Sequence, residues 1–90
     1  MQQPMPEISK FYGIRIEMFF NDHNPPHFHV KYGEYKAEMD IRTLGILNGW
    51  LPPKAQSLVI EWALAHREEL LDDWRLAREH KPLKGIAPLE

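Results

Sequence analysis

From Phe28 to Tyr32, and again from Tyr35 to Ile41, apolar side chains fall on every second position, and only Gly33-Glu34 separates the two runs. A period of two is the signature of a strand buried on one face. A two-residue connection with glycine first is a hairpin turn whose twist matches that of the strands it joins. Together these features fix a register. Tyr32 is expected to face Tyr35, Lys31 to face Lys36, Val30 to face Ala37, His29 to face Glu38, Phe28 to face Met39 and His27 to face Asp40. The resulting ribbon has one apolar face, which the rest of the chain must cover.

The flanking sequence extends this unit and then covers it. Ile14, Ile16, Met18 and Phe20 alternate with Arg15, Glu17 and Phe19, which predicts a preceding strand. Asn21 to Pro26 is a connection rich in turn formers. Further on, Ile46-Leu47-Asn48-Gly49-Trp50-Leu51 centres an Asn-Gly pair in apolar residues and predicts a short fourth strand or a turn. The period then becomes helical. Ala55, Leu58, Val59, Trp62, Ala63, His66, Leu70, Trp74 and Ala77 form one stripe of a helix running from Pro53 to about Glu79. His66 reads as a hydrogen-bonded boundary residue and His80 as part of the helix end. The expected fold is α+β: a small antiparallel meander of three to four strands packed on one long C-terminal helix. Residues 1–6 read as a flexible arm, 7–80 as a single domain and 81–90 as an extended tail, with Leu83, Ile86 and Leu89 available to dock it.

Composition removes several functions. Ninety residues allow one domain, and a chain of that size buries only about 60% of its unfolded surface. There is no cysteine, so disulfides, thiol nucleophiles and cysteine zinc fingers are excluded. The formal net charge of -2 argues against wholesale binding of nucleic acid. The first residues carry no basic stretch followed by an apolar run, and no segment approaches the ~20 apolar residues of a membrane helix. A cytoplasmic protein with no membrane association is expected.

Three of the five histidines lie in His23-Asn24-Pro25-Pro26-His27-Phe28-His29. Imidazole suits proton transfer and metal ligation near neutral pH. On a strand His27 and His29 point the same way, and the register sets Asp40 beside His27 and Glu38 beside His29. His23 enters from the loop, with Asp22 adjacent. One reading gives a divalent metal such as zinc held by His27 and His29 with His23 or Asp40. A second gives acid–base cleavage of a phosphodiester by His23, His27 and His29 with Asp40 orienting, and with Arg15, Lys31 or Lys36 holding phosphate. A third leaves the histidines as cross-strand partners on an exposed sheet face, worth about 0.2–1 kcal/mol each. No cofactor is expected unless the metal reading holds. The sheet's polar face mixes Arg15, Lys31 and Lys36 with Glu17, Glu38 and Asp40, which gives a nucleic-acid surface little support. Pro25, Pro26 and Trp50 are the candidate contacts to a protein partner.

Pro6-Glu7-Ile8-Ser9-Lys10-Phe11-Tyr12-Gly13-Ile14, Phe20-Asn21-Asp22-His23-Asn24-Pro25-Pro26-His27-Phe28-His29-Val30 and the Trp62-Ala63…His66-Arg67-Glu68-Glu69-Leu70 segment resemble a bacterial family catalogued as domain of unknown function 4160. The resemblance runs from about Pro6 to Leu89. It implies a prokaryotic cytosolic protein, often one half of a two-gene unit of toxin–antitoxin or regulatory type, and it supplies no catalytic residue. The expected function is a regulatory or toxin–antitoxin-type component acting through a protein partner, such as the product of a neighbouring gene or a second copy of itself. The alternative is a small nuclease built on the histidine cluster.

Overall fold

The computed structural model describes residues 6–90, so the arm expected over residues 1–6 lies, apart from Pro6, outside the described residues. Five strands form one antiparallel sheet in chain order: β1 (Glu7–Phe11), β2 (Ile14–Glu17), β3 (His27–Tyr32), β4 (Tyr35–Asp40) and β5 (Ile46–Gly49). Two helices follow, α1 (Pro53–Ala65) and α2 (Arg67–Arg78). The architecture is α+β, with a five-stranded meander in place of three to four strands and two helices in place of one long helix.

The β3–β4 hairpin has the register expected from its turn, pair for pair from Tyr32↔Tyr35 to His27↔Asp40. Gly33 supplies the left-handed backbone that the first turn position requires, at φ 58°. The additional strand, β1, turns into β2 through Tyr12 and Gly13, both at positive φ. A bulge between Glu7 and Ser9 shifts its register, so Ile8 and Ser9 are both buried and the alternation in sequence is lost.

Asn48-Gly49 is not a hairpin turn. It ends β5, and the chain reverses before β5 instead, where Leu44 takes a φ of 61°. Gly49 is required there for another reason: a Cβ on it would stand 2.2 Å from the Lys36 carbonyl oxygen. The same carbonyl accepts the Trp50 N–H at 3.0 Å.

The helix breaks at His66, whose backbone (φ -128°, ψ 23°) leaves the helical region. Its imidazole bonds the Glu69 carboxylate, a side-chain contact that caps no backbone N–H of α2. Arg67 then reaches the Ile41 carbonyl at 3.2 Å. The break lets α1 and α2 each turn an apolar stripe inward: Ala55, Val59, Trp62 and Ala63 from one, Leu70, Trp74 and Ala77 from the other. Helix α2 closes with two backbone bonds, Lys81 N–H to Leu76 O at 2.9 Å and His80 N–H to Ala77 O at 3.2 Å, with His80 at φ 57°.

Trp62 is fully buried, and its ring centroid is 5.4 Å from Phe11 and 6.1 Å from Phe28. Residues 81–90 form no regular element but are tied down. Ile86 is buried and donates its N–H to Ile8 O at 2.7 Å, and the Trp62 indole N–H bonds Ala87 O at 2.8 Å. Leu83 and Leu89 pack on the core beside Ile86.

Candidate functional site

The chain between β2 and β3 folds back over the start of β3 and against α2. Asn21, at φ 53°, donates its N–H to Ala77 O at 3.2 Å, and the Asn24–Pro25 peptide bond is cis. This path carries Asp22 over the two strand histidines. Asp22 Oδ2 stands 3.1 Å from His27 Nε2 and 2.9 Å from His29 Nε2. Asp22 Oδ1 accepts the His23 N–H at 2.9 Å, which fixes the carboxylate plane. Burial raises the Asp22 pKa, but the hydrogen bonds from His29 and the His23 backbone, with the charges of His27 and His29, outweigh it. The net value lies below the ordinary 3.8.

The three histidines have different surroundings. His27 is fully buried, with its ring 5.3 Å from Trp74 of α2 and its Nδ1 2.7 Å from the Pro25 carbonyl oxygen. His29 is partly exposed and is met edge-on by Phe19 at 4.5 Å. His23 stacks on His27 at 5.1 Å, yet its side chain is 74% exposed and its Nε2 is 3.7 Å from Asp22 Oδ1. Glu38 Oε1 lies 3.8 Å from His27 Nε2.

Asp40 does not take the orienting position expected for it. It pairs with His27 in the sheet, but its Oδ1 accepts the N–H groups of Arg42 at 2.7 Å and Thr43 at 3.1 Å. The residue that bridges the histidines is Asp22. Strand periodicity gives no direction to a loop side chain, so Asp22 had only its place five residues before His27 to mark it. Pro25 and Pro26 are half-buried, and the Pro26 carbonyl accepts the Ile41 N–H at 3.0 Å. Trp50 is 56% exposed and packs edge-on to Tyr35 at 5.2 Å.

The register also sorts the polar face into rows. Lys10, Arg15, Lys31 and Lys36 are successive cross-strand partners over β1–β4, and Glu17, His29, Glu38 and Asn48 form the adjacent row over β2–β5. The mixture of charges read along the sequence is therefore a stripe of four cations beside a row of two acids, a histidine and an asparagine. Glu17 is buried under Lys31 (3.5 Å) and Arg15 (3.8 Å), and Arg15 also stands 3.5 Å from Glu7. Among the described residues Lys36 has no carboxylate within 4.0 Å. A groove of about 350 Å³ runs from His29 over Lys31 and Lys36 to Asn48, with Phe19 and Glu38 in its walls.

Among the described residues no helix is long and apolar enough to cross a membrane. No curated protein and no solved structure matches the chain. Residues 13–75, more than half of the sequence and including the whole histidine cluster, match the family model described as Domain of unknown function (DUF4160), and the chain belongs to that family.

Proposed function

We propose that this protein is a small nuclease that cleaves a phosphodiester at Asp22, His27 and His29, with RNA as the substrate to test. One observation carries the reading: the groove begins at His29, the accessible member of the cluster, and continues onto the stripe of cations. A phosphate held by Lys31 and Lys36 would lie beside the His29–Asp22 pair. Lys36 faces Lys31 directly and has no carboxylate of its own among the described residues, so an anion laid across the pair would be favoured at Lys36. The test is cleavage of single-stranded RNA by the purified chain. His29→Ala and Asp22→Asn should each lose activity by about 100-fold or more while keeping the parent's circular dichroism. Full activity in both variants would remove the reading.

A second reading, a regulatory or toxin–antitoxin-type component that works through a protein partner, is favoured by a separate feature. Leu47 of β5, a strand at the edge of the sheet, is exposed, as are Trp50 just after β5 and Tyr35 at the start of β4, which pack edge-on to each other. Exposed aromatic side chains beside a free edge suit strand addition by another chain. Co-purification with the product of the adjacent gene, weakened by Trp50→Ala, is the expected result. A monomer that ignores that product in solution would sink it.

A further inference from the structure

Both ring nitrogens of His27 face acceptors. Nδ1 lies 2.7 Å from a backbone carbonyl, which cannot donate, so the ring proton belongs on Nδ1. Nε2 then turns a lone pair towards Asp22 Oδ2 at 3.1 Å, in a ring with no exposure to water. The same oxygen is 2.9 Å from His29 Nε2, and Glu38 Oε1 stands 3.8 Å from His27 Nε2. A cation shared by Asp22 Oδ2, His27 Nε2 and His29 Nε2 would satisfy these three atoms together.

The spacing fits an ion. Around a metal with bonds of about 2.1 Å, adjacent ligand atoms lie about 3.0–3.4 Å apart. The two separations from Asp22 Oδ2 are 2.9 and 3.1 Å, and all three atoms lie within 4.8 Å of one another. The Nδ1 bond to Pro25 is the outer support that metal-bound histidines have, because it fixes the tautomer and aims Nε2. Two imidazoles and one carboxylate, with no thiolate, suit a borderline divalent transition ion and not magnesium or calcium.

We propose that Asp22 Oδ2, His27 Nε2 and His29 Nε2 bind one divalent transition-metal ion, for which zinc is the probe. His23, His27 and Glu38 are also close enough to form a ligand set, but they would compete for the same His27 Nε2. His23 is largely exposed, with its Nδ1 3.2 Å from the Asn24 carbonyl. His23 is therefore left outside the ligand set. Three protein ligands leave positions free for water or a phosphate oxygen on the side of the groove. For catalysis, this inference rests on the nuclease reading. A water polarised by the ion would give its proton to bulk water, its oxygen would bond phosphorus, the bond from phosphorus to the leaving sugar oxygen would break, and that oxygen would take a proton from bulk water.

The experiment is zinc titration of the chelator-treated full chain, followed by calorimetry and thermal melting, with calcium as the control. One zinc per chain, a melting temperature raised by several degrees and no response to calcium are expected. Asp22→Asn and His29→Ala should each weaken zinc binding 10- to 100-fold, and His23→Ala should leave it within about two-fold. Cobalt in place of zinc should give visible absorption that is lost in Asp22→Asn. Absence of zinc binding at micromolar concentration, or binding that depends on His23 and not on Asp22, would overturn the site. RNA cleavage is scored separately. Zinc binding without cleavage upholds the site and refutes the nuclease reading, whereas cleavage by a chain that binds no zinc does the reverse.

Discussion

Asp40 and Asp22 show how a carboxylate's role depends on where its atoms point and not on which residue it pairs with. Asp40 is the cross-strand neighbour of His27, and the register that makes it so follows from the Gly33-Glu34 turn. Its carboxylate nevertheless curls into its own loop and accepts two backbone N–H groups. Asp40→Ala should therefore destabilise the fold by about 1–2 kcal/mol in a denaturant melt while leaving zinc affinity and RNA cleavage at parental levels. Loss of either with the fold intact would return Asp40 to the histidine site. His27 and His29 were legible as neighbours because alternation along a strand fixes the face. Asp22 was not, because its direction comes from a loop path set by the positive φ of Asn21 and the contact with α2.

Among the elements, the parts read correctly from sequence are those in which one local rule acts alone. The hairpin has a single turn and unbroken alternation, so its register could be written down. Strand β1 was hidden by its bulge, which places buried residues side by side. The single long helix was an error because the stripe from Ala55 to Ala77 continues past His66, while the backbone does not. Glu68 and Glu69, acids that suit a first helical turn, were the available signal of a second start after His66. Around Asn48-Gly49, where a short strand or a turn was expected, the strand is what forms, and the glycine serves a strand that crowds its neighbour's backbone. Gly49→Ala should cost about 2–3 kcal/mol of unfolding free energy, since its new methyl meets main chain that cannot move aside. A variant as stable as the parent would show that Lys36 gives way.

At the scale of the whole molecule, buried carboxylate oxygens of both Glu17 and Asp73 lack hydrogen-bond partners. Asp73 is buried, with Oδ1 accepting the Lys84 N–H at 2.9 Å and Oδ2 lacking any partner. Burial raises its pKa above 3.8, with Asp72 and Glu69 adding to the rise and the Lys84 N–H and charge opposing it. The folded chain thus holds this proton to higher pH than the unfolded chain does. The stabilisation it brings is complete below the unfolded value and is lost as pH rises through the folded one. Asp73→Asn should melt at a higher temperature than the parent at pH 7, with the difference shrinking towards pH 4. An equal gap at both values would refute the assignment.

The bond from Ile86 to Ile8 has a consequence for assembly. It takes up the Ile8 carbonyl and so obstructs the β1 edge of the sheet at that point, while β5 is the edge strand on the other side. A sheet stoppered on one side can accept one neighbour by edge addition and then has nothing left to offer. Association through the strands should stop at pairs, and open-ended fibres should not grow.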